Sequence, residues 1–174
     1  MPAAEVEPWV IDPLARDHDR KHFDCGEPAL DEFIRRHARQ QQAKNVGRTF
    51  VAVEPPNKRV LGFYTLAAAS IAFEHLPAGV GKRLPRYPVP AARIGRLAID
   101  KSMQGKGLGA AQLRDALLRI AQVAGSDLGI LAVIVDAKNE QAKRFYQTCG
   151  FVALPDHPLT LFMLTATILM AIEA

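Results

Sequence analysis

The sequence predicts an α/β or α+β fold arranged around one central sheet. Helical stripes of apolar residues interleave along the chain with short runs of strand character. Leu128–Val135 is a near-continuous apolar run, as expected of a strand covered on both faces. The 174 residues, 49% hydrophobic and 23% charged, suit one ordinary globular domain, so residues 1–174 read as a single domain without internal repeats. That composition excludes a disordered tail, a fibre and a stapled mini-protein.

In chain order, Trp9-Val10-Ile11 reads as an opening strand ended by Pro13. Phe23 to Pro28 is a turn, with Pro28 placed for the first turn of a helix in which Leu30, Phe33, Ile34, His37 and Ala38 recur at helical spacing. Thr49–Val53 and Val60–Ala69 are strands joined by a proline-containing connection. Residues 77–90, with four prolines and two glycines, read as one long loop. Ala91–Asp100 is a strand. The helix that follows buries Leu113, Leu117, Ile120 and Ala124, and Gly125 suits its C-terminal cap. Glu140–Thr148 is a short helix stopped by Gly150, and Thr160–Leu164 a last strand.

The net charge of +4 conceals an asymmetry. Met1 to Glu32 carries nine acids and three bases, whereas Arg35 to Thr148 carries nineteen bases and seven acids. Two stretches hold bases without acids: Arg35, Arg36, Arg39, Lys44 and Arg48, then Lys82, Arg83, Arg86, Arg93 and Arg96. Such runs are solvated surface unless gathered on one face, where they attract a polyanion. Cys25 and Cys149 lie far apart without CxxC spacing, as reduced thiols do. Neither a signal peptide nor a membrane span is read, since Leu161–Ile172 is too short and interrupted by Thr165 and Thr167. These features predict a cytoplasmic protein. His18-x-x-x-His22 has helical spacing for a metal pair but lacks a completing acid, so no metal is expected. Ser70, Ser102 and Ser126 occupy no nucleophile elbow, and Cys149 reads as a packing residue.

The most informative stretch is Gln104-Gly105-Lys106-Gly107-Leu108-Gly109, between a strand and an amphipathic helix. Glycines let the backbone approach a ligand, and a helix start offers unpaired N–H groups to a phosphate. The pattern lacks the ending of a Walker loop and the position of a dinucleotide fingerprint. A purely structural turn accounts for it equally well.

Gln104-x-x-Gly107-x-Gly109 nonetheless resembles the pyrophosphate loop of the GCN5-related N-acetyltransferases, the GNAT superfamily. Asn139-x-x-Ala142-x-x-Phe145-Tyr146-x-x-x-Gly150-Phe151 resembles a second segment of that family, in the expected order. Phe23-Asp24-Cys25-Gly26, Leu30-Asp31-x-Phe33, Gly95 to Asp100 and Val135-Asp136-Ala137 extend the likeness to the GNAT toxins of bacterial toxin–antitoxin systems.

The resemblance implies a mixed, mostly antiparallel sheet flanked by helices, and acetyl-CoA as cofactor. Leu97, Ala98 and Ile99 would pair their main chain with its pantetheine arm. The amides of Gln104, Gly105, Lys106, Gly107, Leu108, Gly109 and Ala110 would hold its pyrophosphate, with Asn139 near the thioester. Tyr146 would be the general acid for the departing thiolate, while Phe145 and Phe151 pack. The implied activity is acetylation of the α-amino group of aminoacyl-tRNA, blocking translation. Lys82, Arg83, Arg86, Arg93 and Arg96 are the tRNA contacts we expect. The implied partners are a ribbon-helix-helix antitoxin and a second copy of the chain. Two other readings stay open: a housekeeping acetyltransferase for a protein or small-molecule amine, and an acyl-CoA-binding module without catalysis. No glutamate base is evident; Asp100 and Asp136 are the nearest candidates for one, and both read rather as turn residues.

Overall fold

The computed structural model describes residues 8–173. Its strands are β1 (Val10–Pro13), β2 (Arg48–Val53), β3 (Gly62–Ile71), β4 (Val89–Ile99), β5 (Ala132–Asp136), β6 (Val152–Leu154) and β7 (His157–Leu164). They form one sheet in the order β1-β2-β3-β4-β5-β7-β6. β1–β2, β5–β7 and β6–β7 pair antiparallel, and β4–β5 pairs parallel. A parallel pair needs a crossover, which α4 (Leu108–Ala124) supplies. The chain forms two compact units. Residues up to Thr65 join Arg96–Asp115 in the first; Leu66–Gly95 join the residues from Ala116 onward in the second.

In the first unit the predicted Leu30–Ala38 helix is broken into three. α1 (Pro28–Glu32) leads into a π-helical turn at Phe33–His37, followed by α2 (Ala38–Ala43). The wide turn is closed by the Ala38 N–H on the Phe33 carbonyl, and the Ile34 carbonyl accepts from Arg20 Nη1 at 2.9 Å. The apolar stripe survives this interruption: Phe33, Ile34 and Ala38 are buried with Phe23, Val51, Val53 and Phe63. The Phe63 ring meets Phe23 edge-on at 5.3 Å and stacks on Phe33 at 5.9 Å. Each such side chain contributes about 1.5–3 kcal/mol by leaving water.

In the second unit Ile71, Val89, Ala91, Ala132, Ile134, Leu154 and Phe162 form the core. Residues 77–90 are not all loop, since α3 (Ala78–Gly81) forms a single turn whose first amide bonds, from Val80 and Gly81, reach the Pro77 carbonyl. The Leu128–Val135 run is strand only from Ala132. Leu128 is exposed, and Leu131 instead donates to the Pro90 carbonyl. The apolar run after Thr160 divides into β7 and a terminal helix, α6 (Thr165–Glu173), in which Thr165 and Ile168 are buried. α5 (Glu140–Thr148) lies where the sequence predicts it. No helix of the described residues is long and apolar enough to cross a membrane.

Candidate functional site

In the first unit the end of β4 and the glycine loop form a braced platform. Gln104 Nε2 donates to the carbonyls of Ile99 and Cys25, both at 3.0 Å, tying the loop to the strand and to the Phe23–Gly26 turn. The buried Gln112 amide reaches the Ala98 and Phe63 carbonyls at 3.4 and 3.3 Å. Two of the three strand residues predicted to meet a pantetheine arm, Ala98 and Ile99, thus already hold a glutamine on their carbonyls.

Asp100 fixes the base of the platform. It is 3% exposed and accepts from the Asp24 amide (3.0 Å), the Ser102 amide (3.0 Å) and the Ser102 hydroxyl (2.6 Å), with Arg59 at 3.3 Å. Burial pushes this carboxyl up, but the bonds from Ser102 and Asp24, with Arg59, outweigh it and hold it below its ordinary value. Asp100→Ala removes those acceptors and is expected to cost roughly 2–4 kcal/mol, read as a lower midpoint in urea. Because the folded value is depressed, Asp100 stabilises the fold above the ordinary carboxylate range. That contribution is lost as pH falls through the folded value.

Beyond Asp100 the loop Gln104–Gly107 is exposed and leads into α4. Gly105 and Gly107 adopt φ of +75° and +88°, and a Cβ at either would meet nothing within 4 Å. Their glycines therefore serve backbone conformation and open approach from outside, not internal packing. The first α4 amide bond is Ala111 to Gly107. The N–H groups of Leu108, Gly109 and Ala110 precede it and have no carbonyl one turn back. They present the positive end of a seventeen-residue helix. Lys106 also borders a cleft of about 500 Å³ with Glu54, Asn57, Arg59, Ser102 and Met103, on which Leu108, Gly109 and Ala110 do not stand. Donors, a cation and open space fit the diphosphate that the loop is expected to hold.

In the second unit α5 carries Asn139 and Tyr146. Asn139 is the N-cap: its Oδ1 accepts from the Ala142 amide at 2.9 Å, so the N-x-x-A spacing has a local structural reason. Tyr146 is 8% exposed, with Phe145 and Phe151 rings at 5.3 and 5.7 Å. Its phenol is pushed up to about 12 by burial, then by the charges of Cys149 and Asp136. It is a firmly protonated donor. Phe151 is core as expected, and Phe145 is half-buried. Cys149 is half-buried, and burial pushes its thiol up; Cys25 is pushed up to about 11 for the same reason. Neither is a ready nucleophile.

Asp136 is not a turn residue. Its Oδ1 accepts from Thr160 at 2.9 Å and its Oδ2 pairs with Arg93, linking β5 to β7 and β4. These groups line a cleft of about 200 Å³ with His75 and His157, whose rings meet edge-on at 4.7 Å. The histidines carry no sequence signal, because 82 positions separate them and only the folded sheet pairs them. Lys82, Arg83 and Arg86 are exposed in the second unit. Arg96, in the first, lies 3.7 Å over the Phe33 ring, and burial lowers its proton affinity. Arg93 and Arg96 are thus already partnered, whereas the sequence groups them with the exposed three.

The Acetyltransferase (GNAT) domain family model matches residues 29–160. A tRNA-acetylating toxin of Mycobacterium tuberculosis is 39% identical over 146 residues, covering 84% of this chain and 86% of the relative. The structure of the toxin AtaT with acetyl-methionyl-tRNAfMet superposes with a TM-score of 0.88 at 32% identity, covering 94% of this chain and 99% of that one. A tyrosine-to-phenylalanine variant of AtaT, bound to the C-terminus of the antitoxin AtaR and acetyl-CoA, gives 0.82 at 30% identity, covering 97% and 100%. With a matched domain that spans both units and relatives alike along nearly their whole length, this chain belongs to the GNAT acetyltransferase family.

Proposed function

We propose that this chain is a toxin that acetylates the α-amino group of aminoacyl-tRNA and thereby inhibits translation. The observation that carries the reading is its near full-length likeness to a tRNA-acetylating toxin. The glycine loop adds the means to hold the acetyl donor. Acetyl-CoA supplies an acyl group activated as a thioester. The amides of Gln104 to Ala110, with Lys106, hold its diphosphate; Leu97, Ala98 and Ile99 align its arm; Asn139 lies near the thioester end. Tyr146 would hydrogen-bond the departing sulfur and pass its phenolic proton to it as the new C–N bond replaces C–S, with the proton shed by the acceptor nitrogen restoring the phenol. An α-amine near pKa 8 is about a quarter neutral at pH 7.5, against about 0.1% for a lysine near 10.4. Such an acceptor needs little help from a base, consistent with both oxygens of Asp136 being engaged.

Both units act as one acetyltransferase domain in this reading. The enzyme works in the cytoplasm, where charged tRNA is found. It is a homodimer, restrained by a ribbon-helix-helix antitoxin. The test is incubation with labelled acetyl-CoA and charged or deacylated total tRNA. Label is expected on the aminoacyl species alone; label on protein or free amine instead establishes the housekeeping reading.

Arg93 and Arg96 contribute to tRNA contact from their existing partners, Asp136 and Phe33, while Lys82, Arg83 and Arg86 meet phosphates directly. Replacing those three by alanine is expected to weaken tRNA binding and to flatten its dependence on log salt by about two to three units. Unchanged affinity returns them to ordinary surface.

A further inference from the structure

The fold uses His18 for something other than the metal pair its spacing to His22 admits. His18 is 7% exposed, and its Nδ1 accepts the Ala15 amide at 2.9 Å. A neutral imidazole that accepts on one nitrogen carries its proton on the other, so Nε2 is a donor. That Nε2 is buried and has no hydrogen-bond partner among the described residues. His18 also lines a cleft of about 440 Å³ in the first unit, whose other walls are Arg16, Asp19, Arg20, Lys21, Arg35 and Arg36.

This cleft is composed almost wholly of donors. Arg20 gives one N–H to the Ile34 carbonyl, and Arg35 gives one to the Phe23 carbonyl. A guanidinium has five, so donor capacity far exceeds these uses. Asp19 is the single acid among the described residues of the walls, and its Oδ1 accepts the Lys21 amide at 3.1 Å. Arg20 holds its proton less tightly than usual, chiefly because of burial and then because of the nearby Arg39 charge. Five cations and one acid around a shared space, with a buried donor lacking an acceptor, call for an anion with several oxygens.

We propose that this cleft binds a phosphoryl group. Its tetrahedral oxygens can each take forked guanidinium donors, which a halide or a single carboxylate cannot match. The group is either a backbone phosphate of RNA or a free phosphate or small phosphate ester. The cleft shares no residue with the Gln104–Ala110 loop, so the site is separate from the acetyl-donor site and stands without the acetyl-transfer reading.

The test is a titration of the full chain with inorganic phosphate, followed by NMR of the His18 imidazole and the arginine Nε–H groups, with chloride at matched ionic strength as control. Saturable shifts at His18, Arg20, Arg35 and Arg36 are expected, and they persist in Gly107→Glu. Arg16→Gln with Arg36→Gln, both at exposed positions, is expected to weaken phosphate at least tenfold. His18→Asn keeps an acceptor for the Ala15 amide and deletes the Nε2 donor. It is expected to weaken phosphate several-fold at an unchanged melting temperature. A short RNA hairpin bound more weakly by the same variants identifies the source as RNA backbone; equal RNA affinity identifies a small phosphate. Phosphate shifts that never saturate, or phosphate affinity equal in wild type and all variants, overturn the site whatever RNA does.

Discussion

Tyr146→Phe is expected to lose acetyl transfer by about 10²–10⁴-fold while binding acetyl-CoA nearly as the wild type does. The phenyl ring stays between Phe145 and Phe151, so packing is kept and only the hydroxyl goes. With the phenol pushed up to about 12, about one molecule in 10⁵ is ionised at pH 7. The hydroxyl is therefore a donor throughout the working range. In the proposed role Tyr146 acts late, hydrogen-bonding the sulfur as C–S breaks and charge accumulates. The pH profile follows from the same values: activity rises as the acceptor amine deprotonates toward about 8 and shows no fall from Tyr146 until well into alkali. Single-turnover rates and calorimetric acetyl-CoA affinity, measured on both proteins, check it. Turnover within about threefold of wild type, with the fold intact, returns Tyr146 to the core.

Elements with a strongly one-sided pattern were legible from residues alone. α4 forms where its stripe predicts a helix, and α5 is bounded by Asn139 and Gly150. Of the α4 stripe, however, Leu113 and Ile120 are buried with Ala111, Gln112, Ala116 and Ala121, while Leu117 and Ala124 are half-buried. Where local pattern is symmetric, the reading fails for a physical reason. α6 is apolar around most of its circumference and carries Thr165 and Thr167, so no period separates it from the strand before it. β6 has three residues, too few for alternation to register. The π-helical turn at Phe33–His37 leaves the buried stripe in place, so periodicity reads straight through it.

The site divides along the same line. Gln104 to Gly109 and Asn139 to Phe151 are contiguous segments, and their local conformation, the glycine turn before α4 and the Asn139 cap of α5, is legible in sequence. What a side chain does at long range is not. The carboxylate of Asp100 gathers residues 24, 59 and 102, and Asp136 gathers Arg93 and Thr160. Arg96 reads as one more cation in a basic run until the Phe33 face beneath it is known. Asn139 shows the converse. A position implied to serve the cofactor is also the helix cap, so its place in the pattern has two causes.

Gly107→Glu is expected to lower acetyl-CoA affinity about 100-fold, or about 2.7 kcal/mol, and to abolish transfer at limiting donor. Two effects add. At φ +88° a side chain is strained, by about 1–3 kcal/mol. The new carboxylate would also occupy the space proposed for the diphosphate, against the amides of Leu108, Gly109 and Ala110. Gly107→Asn separates these effects, because asparagine is among the residues that tolerate positive φ. A Cβ at Gly107 meets nothing within 4 Å of the chain itself. If the loop is only a structural turn, Gly107→Asn therefore leaves both fold and affinity close to wild type. If the open space is the anion's, Gly107→Asn keeps the melting temperature yet still weakens acetyl-CoA, with Gly107→Glu weaker again by the added charge. Calorimetry on the three proteins orders them as wild type, Asn, Glu. Equal affinities in folded variants would remove the diphosphate from this loop.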